Sequence, residues 1–141
     1  MGQQQIFMVV LSVLIVSAAI VTGISAYKAQ AKSSNRNAII QDMYNIANLA
    51  IAYYKTPQTQ GGGGRAWDSS NFLKFSGYQL NNAGTKIITD NGKIQVTELV
   101  GDRLQIKGWG TEIGFDEDEA IQARLRLQGP EVDEAQFVIL N

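Results

Sequence analysis

Apolar residues dominate from Ile6 to Ala26, IFMVVLSVLIVSAAIVTGISA, and no charged side chain occurs between Met1 and Tyr27. Such a run is long enough to cross a bilayer, for which about 20 apolar residues suffice. Past Lys28 the pattern changes without breaking. Ile39, Met43, Ile46, Ala47, Ala50, Tyr53 and Tyr54 recur at helical spacing, while Gln41, Asn45, Asn48 and Lys55 take the other side. No proline precedes Pro57. The pattern predicts one helix of roughly 50 residues, about 75–80 Å long at 1.5 Å per residue. Its first half is apolar and its second half amphipathic. Ile39, Met43, Ile46, Ala50 and Tyr53 form the face expected to pack on a sheet. Thr56-Pro57 ends the helix, because proline disfavours helical geometry in the residue before it.

Beyond Pro57 the period shortens from helix to strand. Gly61 to Gly64 read as a mobile, outward-facing loop, since four glycines do not hold regular structure cheaply. Asp68-Ser69-Ser70-Asn71 is a cap for a short helical turn carrying Phe72, Leu73 and Phe75. Lys86–Thr89 and Lys93–Leu99 flank Asp90-Asn91-Gly92, a hairpin signal. In the second of these segments Ile94 and Val96 face one way, and Gln95 and Thr97 the other. Arg103–Trp109 follows the Gly101-Asp102 turn with Leu104 and Ile106 inward. The clearest strand is Ile121–Gln128, where Ile121, Ala123, Leu125 and Leu127 alternate with Gln122, Arg124, Arg126 and Gln128, the signature of one buried and one wet face. Gly129-Pro130 ends it. Gln136–Leu140 is a short apolar strand expected to be buried on both faces or against neighbours. The fold class is α+β, a long N-terminal helix packed on an antiparallel sheet of about four strands.

The division is residues 1–56 as helix and 57–141 as a β-rich head. A head of about 85 residues has a marginal core of its own, so the second half of the helix is expected to serve as one wall of it. Charge is divided unevenly. Lys28, Lys32, Arg36 and Lys55 against Asp42 give the helix +3, while the head holds twelve acids against eight bases, −4, for the total of −1. An acidic head argues against nucleic acid as a partner. There is no Cys and no His. That removes disulfides, cysteine-ligated metals, the commonest general base and the commonest metal ligand.

Catalytic and cofactor motifs are missing. No G-x-S-x-G, S-x-x-K or phosphate-binding glycine loop is present, and without His no hydrolase triad can be built. The expectation is a non-enzymatic protein with no cofactor. Asp116, Glu117, Asp118 and Glu119 are the one dense acidic cluster and a candidate cation site; lacking the EF-hand spacing, they read first as a solvated loop. Trp67, Trp109 and the tyrosines read as core or interface aromatics.

The N-terminal segment fits a cleaved secretory signal poorly, since no basic residue precedes the apolar run and the run exceeds the usual 7–15 residues. Lys28, Lys32 and Arg36 on its C-terminal side would hold the head in the cytoplasm by the positive-inside rule. A short basic leader, once ahead of Met1 and since removed, would resolve that conflict. Small residues cluster at Ser17, Ala18, Ala19, Thr22, Gly23 and Ser25. Ala19 and Gly23 form a small-x-x-x-small pair of the kind that lets apolar helices approach closely. Gly23 is also a local weak point in the helix.

The uncharged N-terminal helix, its amphipathic extension, the glycine-rich loop and the antiparallel sheet together resemble a type IV pilin. The resemblance implies a precursor inserted in the cytoplasmic (inner) membrane, trimmed by a leader peptidase and drawn by the pilus assembly machinery into a helical homopolymer at the cell surface. Its biological uses would be attachment or motility. It also implies a filament core of Met1, Gln5, Ile6, Val9, Val13, Val16, Ala19 and Gly23. The family usually has Phe first and Glu fifth; here Met1 and Gln5 stand there, so Gln5 offers a neighbouring N-terminus a hydrogen bond rather than a charge. The helix-breaking Pro and the C-terminal disulfide common in the family are absent. The alternatives are a pseudopilin of a secretion system, with the acidic loop holding calcium, and a monomeric single-pass membrane protein presenting a binding domain.

Overall fold

A computed structural model describes residues 2–99, 103–113, 120–128 and 136–139. Helix α1 spans Gly2–Lys55, 54 residues without interruption, and continues through Gly23. It ends where Thr56-Pro57 requires. The second helix, α2, is Ser69–Ser76, and Asp68 caps it. The Asn71 N–H donates to Asp68 Oδ1 at 3.0 Å, satisfying an amide that has no partner within the helix.

The strands are β1 (Lys86–Thr89), β2 (Gly92–Leu99), β3 (Arg103–Ile113), β4 (Ala120–Gln128) and β5 (Gln136–Ile139). They form one five-stranded sheet in sequence order, each neighbour antiparallel. This is the expected α+β architecture. Alternation along each strand divides the faces: Ile87, Ile94, Val96, Leu104, Ile106, Ile121, Ala123, Leu125 and Leu127 are buried. Against them lies the predicted stripe of α1. Ile39, Met43 and Ala50 are 0 % exposed, Ile46 1 % and Tyr53 2 %. Tyr53 also meets the ring of Phe72 from α2, 5.7 Å between centroids. The head therefore has no complete core without residues 39–53 of the helix.

Three glycines set how closely α1 approaches. A Cβ on Gly108 would lie 2.7 Å from Met43 Sδ and 2.9 Å from Ile39 Cγ2. One on Gly92 would meet Ile39 Cδ1 at 2.8 Å, and one on Gly110 would overlap Asn35 Oδ1. Gly92 pairs with Gly110, and Gly108 with Ile94, so the bare backbone of β2 and β3 forms the seat of the helix.

Three local expectations change. The loop Gly61–Gly64 is fastened rather than free: Gly63 N–H donates to Tyr53 O at 2.8 Å, Gly64 N–H to Thr56 O at 2.9 Å, and Arg65 N–H to Tyr54 O at 2.9 Å. The chain doubles back over the end of α1 and supplies donors to carbonyls that a helix terminus leaves without partners. Gly62 and Gly63 are buried, and a side chain on Gly63 would press on Ala66 O and Tyr53 Cε1. Glycine is required here for space. In the first hairpin Thr89 pairs with Gly92, so the two turn residues are Asp90-Asn91 and Gly92 already belongs to β2. Finally, β5 is a sheet edge and its Val138 is 49 % exposed, so within the described chain the strand is not buried on both faces, and of the two expectations only burial against neighbours stays open.

Candidate assembly surface

Among the described residues, nothing packs over the first half of α1. Every residue from Gly2 to Gln30 is exposed, and its most apolar 18-residue window is long and apolar enough to cross a membrane, with 0 % buried. Among the predicted core-bundle positions, Ile6 is 66 % exposed, Val9 62 %, Val13 59 % and Val16 56 %. Gln5 and Ala19 are exposed as well, and a Cβ on Gly23 would meet nothing within 4 Å. Steps of three and four residues place Ile6, Val9, Val13, Val16, Ala19 and Gly23 along one flank. The rest of the circumference is equally bare, with Phe7 and Met8 each 71 % exposed. Met1 lies outside the described residues.

The hydroxyls in this surface are internally satisfied. Ser12 Oγ donates to Met8 O at 2.7 Å, Ser17 Oγ to Val13 O at 2.7 Å, Thr22 Oγ1 to Ala18 O at 2.9 Å and Ser25 Oγ to Thr22 O at 2.9 Å. Hydroxyls bonded to the preceding turn present no free donor to whatever lies alongside. No acid occupies the first helical turn, where a negative charge would favour the helix dipole; Gln3, Gln4 and Gln5 stand there instead.

Between the bare half and the core half, a polar junction holds α1 to the sheet. Asn35 Nδ2 donates to Asn91 O at 3.0 Å and to Thr111 Oγ1 at 3.1 Å. Its Oδ1 accepts from Thr111 N at 3.1 Å and Glu112 N at 3.3 Å. Asn91 Nδ2 in turn donates to Asp42 Oδ2 at 3.0 Å. The two β3 amides are available because the β3–β4 register shifts between Trp109 and Ile113, a bulge that releases ladder donors. Reading the sequence misses this junction. Its single local signal is a run of poor helix formers, Ser33, Ser34, Asn35 and Asn37, inside a long helix.

The aromatic residues divide by role. Tyr53 is core, and Tyr54 packs on Trp67 with centroids 4.7 Å apart. Trp109 lies on the outer sheet face under Lys86 Nζ, 4.6 Å from its ring centroid. Among the described residues no His, Cys, Asp or Glu side chains gather in a group able to hold a metal ion. The candidate cation residues Asp116, Glu117, Asp118 and Glu119 lie outside the described residues. Comparison with known proteins gives no match to a family model, a curated protein or a solved structure.

Proposed function

We propose that this chain is the structural, non-enzymatic subunit of a helical filament of the type IV pilus kind, inserted in the cytoplasmic membrane before assembly and displayed at the cell surface after it. The observation that carries this reading is the division of α1. One half is a wall of the head's core, and the other projects bare and apolar, continuous with it in one unbroken helix. Covering one Val-, Leu- or Ile-sized side chain contributes about 1.5–3 kcal/mol, so this surface needs either lipid or other helices. A contact between unlike faces that does not close on itself propagates as an open helix. Bundling of the Ile6–Gly23 flank from many copies would give such a contact, with a leader peptidase and a dedicated assembly apparatus as the partners that make it possible.

The test is electron microscopy of material sheared from cells, with mass spectrometry of the chain's N-terminal peptide. Thin filaments containing the chain, with a trimmed N-terminus, support the reading. Ala19→Leu and Gly23→Leu should then abolish filaments while leaving membrane insertion intact. The same helix also suits a monomeric membrane anchor, being long and apolar enough to span. Absence of filaments, with Ala19→Leu and Gly23→Leu silent and Val13→Asp blocking insertion, would establish that second reading instead.

A further inference from the structure

The outer face of the sheet, turned away from α1, is basic. Register places Lys86, Lys93, Arg103, Lys107, Arg124 and Arg126 on it, among Gln95, Gln105, Gln122 and Trp109. Among the described residues that the register assigns to this face, none is acidic. Lys107 and Arg124 are direct cross-strand partners, an arrangement of like charges that destabilises a sheet unless an anion lies between them. Arg124 Nε is buried and has no hydrogen-bond partner among the described residues. Beside this row a groove of about 520 Å³ is lined by Lys86, Lys93, Thr111 and Trp109. Positive charge concentrated this way, in a chain whose net charge is −1, is a surface built for an anionic partner.

We infer that the outer sheet face docks the acidic segment Asp116, Glu117, Asp118 and Glu119 of a second copy of this chain. Charge complementarity within the sequence selects that occupant. Seven of the thirteen acids fall in two short stretches, Asp116, Glu117, Asp118 and Glu119, and Glu131, Asp133 and Glu134. Each copy thus carries a basic face and acidic segments, and contact between unlike faces gives the head a polarity of association independent of the apolar helix. Complementary charge of this kind fixes register and suppresses wrong pairings more than it adds affinity.

The full chain in uncharged detergent micelles tests this, because the micelle covers α1 and leaves association to the heads. Sedimentation at increasing protein concentration should show salt-sensitive self-association. Lys107→Glu with Arg124→Glu should weaken it by at least about tenfold, as should Lys93→Glu with Arg126→Glu, whose side chains are exposed. Replacing Asp116, Glu117, Asp118 and Glu119 by Lys should do the same, and mixing that variant with a sheet-face variant should restore association. The inference is overturned if the wild type stays monomeric at low salt, or if mixing restores nothing. It also fails if the acidic substitutions are silent while the sheet-face variants lose binding to heparin, since the face would then serve a polyanion. Rescue by mixing in a chain that makes no filaments in cells would sustain this contact and sink the filament reading.

Discussion

Asn35 and Thr111 hold each other twice: Asn35 Oδ1 accepts from the Thr111 N–H and Asn35 Nδ2 donates to Thr111 Oγ1, both at 3.1 Å. The pair joins the last turns of bare helix to the bulged end of β3. Asn35→Ala should destabilise the head by about 0.5–1.5 kcal/mol, the net value of such bonds. Asn37→Ala, at an exposed position, should be neutral or gain a few tenths through helix propensity. Thermal unfolding followed by near-ultraviolet circular dichroism in detergent separates the two. Equal effects would mean that the junction contributes nothing.

Gly108 and Met43 define the distance between helix and sheet. Gly108→Val should cost about 1–3 kcal/mol, as overpacking does, because Ile39 Cγ2 at 2.9 Å from the added Cβ cannot swing aside as Met43 Sδ can. Met43→Ala should cost about 2–5 kcal/mol alone. The double variant should be less destabilised than the sum, a coupling that a double-mutant cycle measures.

The glycine loop gives a kinetic prediction. With its N–H bonded to Tyr53 O and its Cα buried, Gly63 should exchange its amide hydrogen far more slowly than Gln60 or Gly61 in native-state exchange by mass spectrometry. Gly63→Ala should destabilise the head more than Gly61→Ala. The latter meets only the penalty of its φ of 82°, roughly 1 kcal/mol, and no steric neighbour within 4 Å. Rapid exchange at Gly63 would restore the picture of a free loop.

Asp68→Ala should loosen α2 by about 0.5–2 kcal/mol, and Asp68→Ser should recover most of that. The readout is the packing of Phe72 and Phe75 on Tyr53, 5.7 and 5.3 Å between centroids, reported by the near-ultraviolet signal of the tyrosine.

Periodicity carried the parts of this fold that depend on neighbours in sequence. The stripe from Ile39 to Tyr53, the cap at Asp68 and the alternation of Ile121–Gln128 each follow from local geometry, and each lies where its pattern puts it. What the pattern hides depends on elements far apart in the chain. Gly61–Gly64 read as loose because glycine is loose in isolation; the carbonyls that fasten Gly63 and Gly64 are those of Tyr53, in the last turn of α1, and Thr56, just past its end. Gly108 looks like a weak spot in a strand until a helix lies across it. Asn35 looks like a poor helix former until a bulge 76 residues later turns an amide toward it. The basic row on the outer face was half visible, since Arg124 and Arg126 alternate in plain sight, but only the register brings Lys107 opposite Arg124.

The four back-bonded hydroxyls of the bare helix have a further consequence. Ser12, Ser17, Thr22 and Ser25 spend their donors on carbonyls of their own helix, so none depends on the medium around it. For these four side chains, a move from acyl chains to the side of another helix would exchange one apolar contact for another, with no hydrogen bond to break on leaving and none to find on arrival. From Ser12 to Ser25 the helix would then be indifferent to which of the two surrounds it, and the choice would fall to shape: lipid conforms to any contour, whereas a neighbouring helix could come closest at the small residues Ala19 and Gly23.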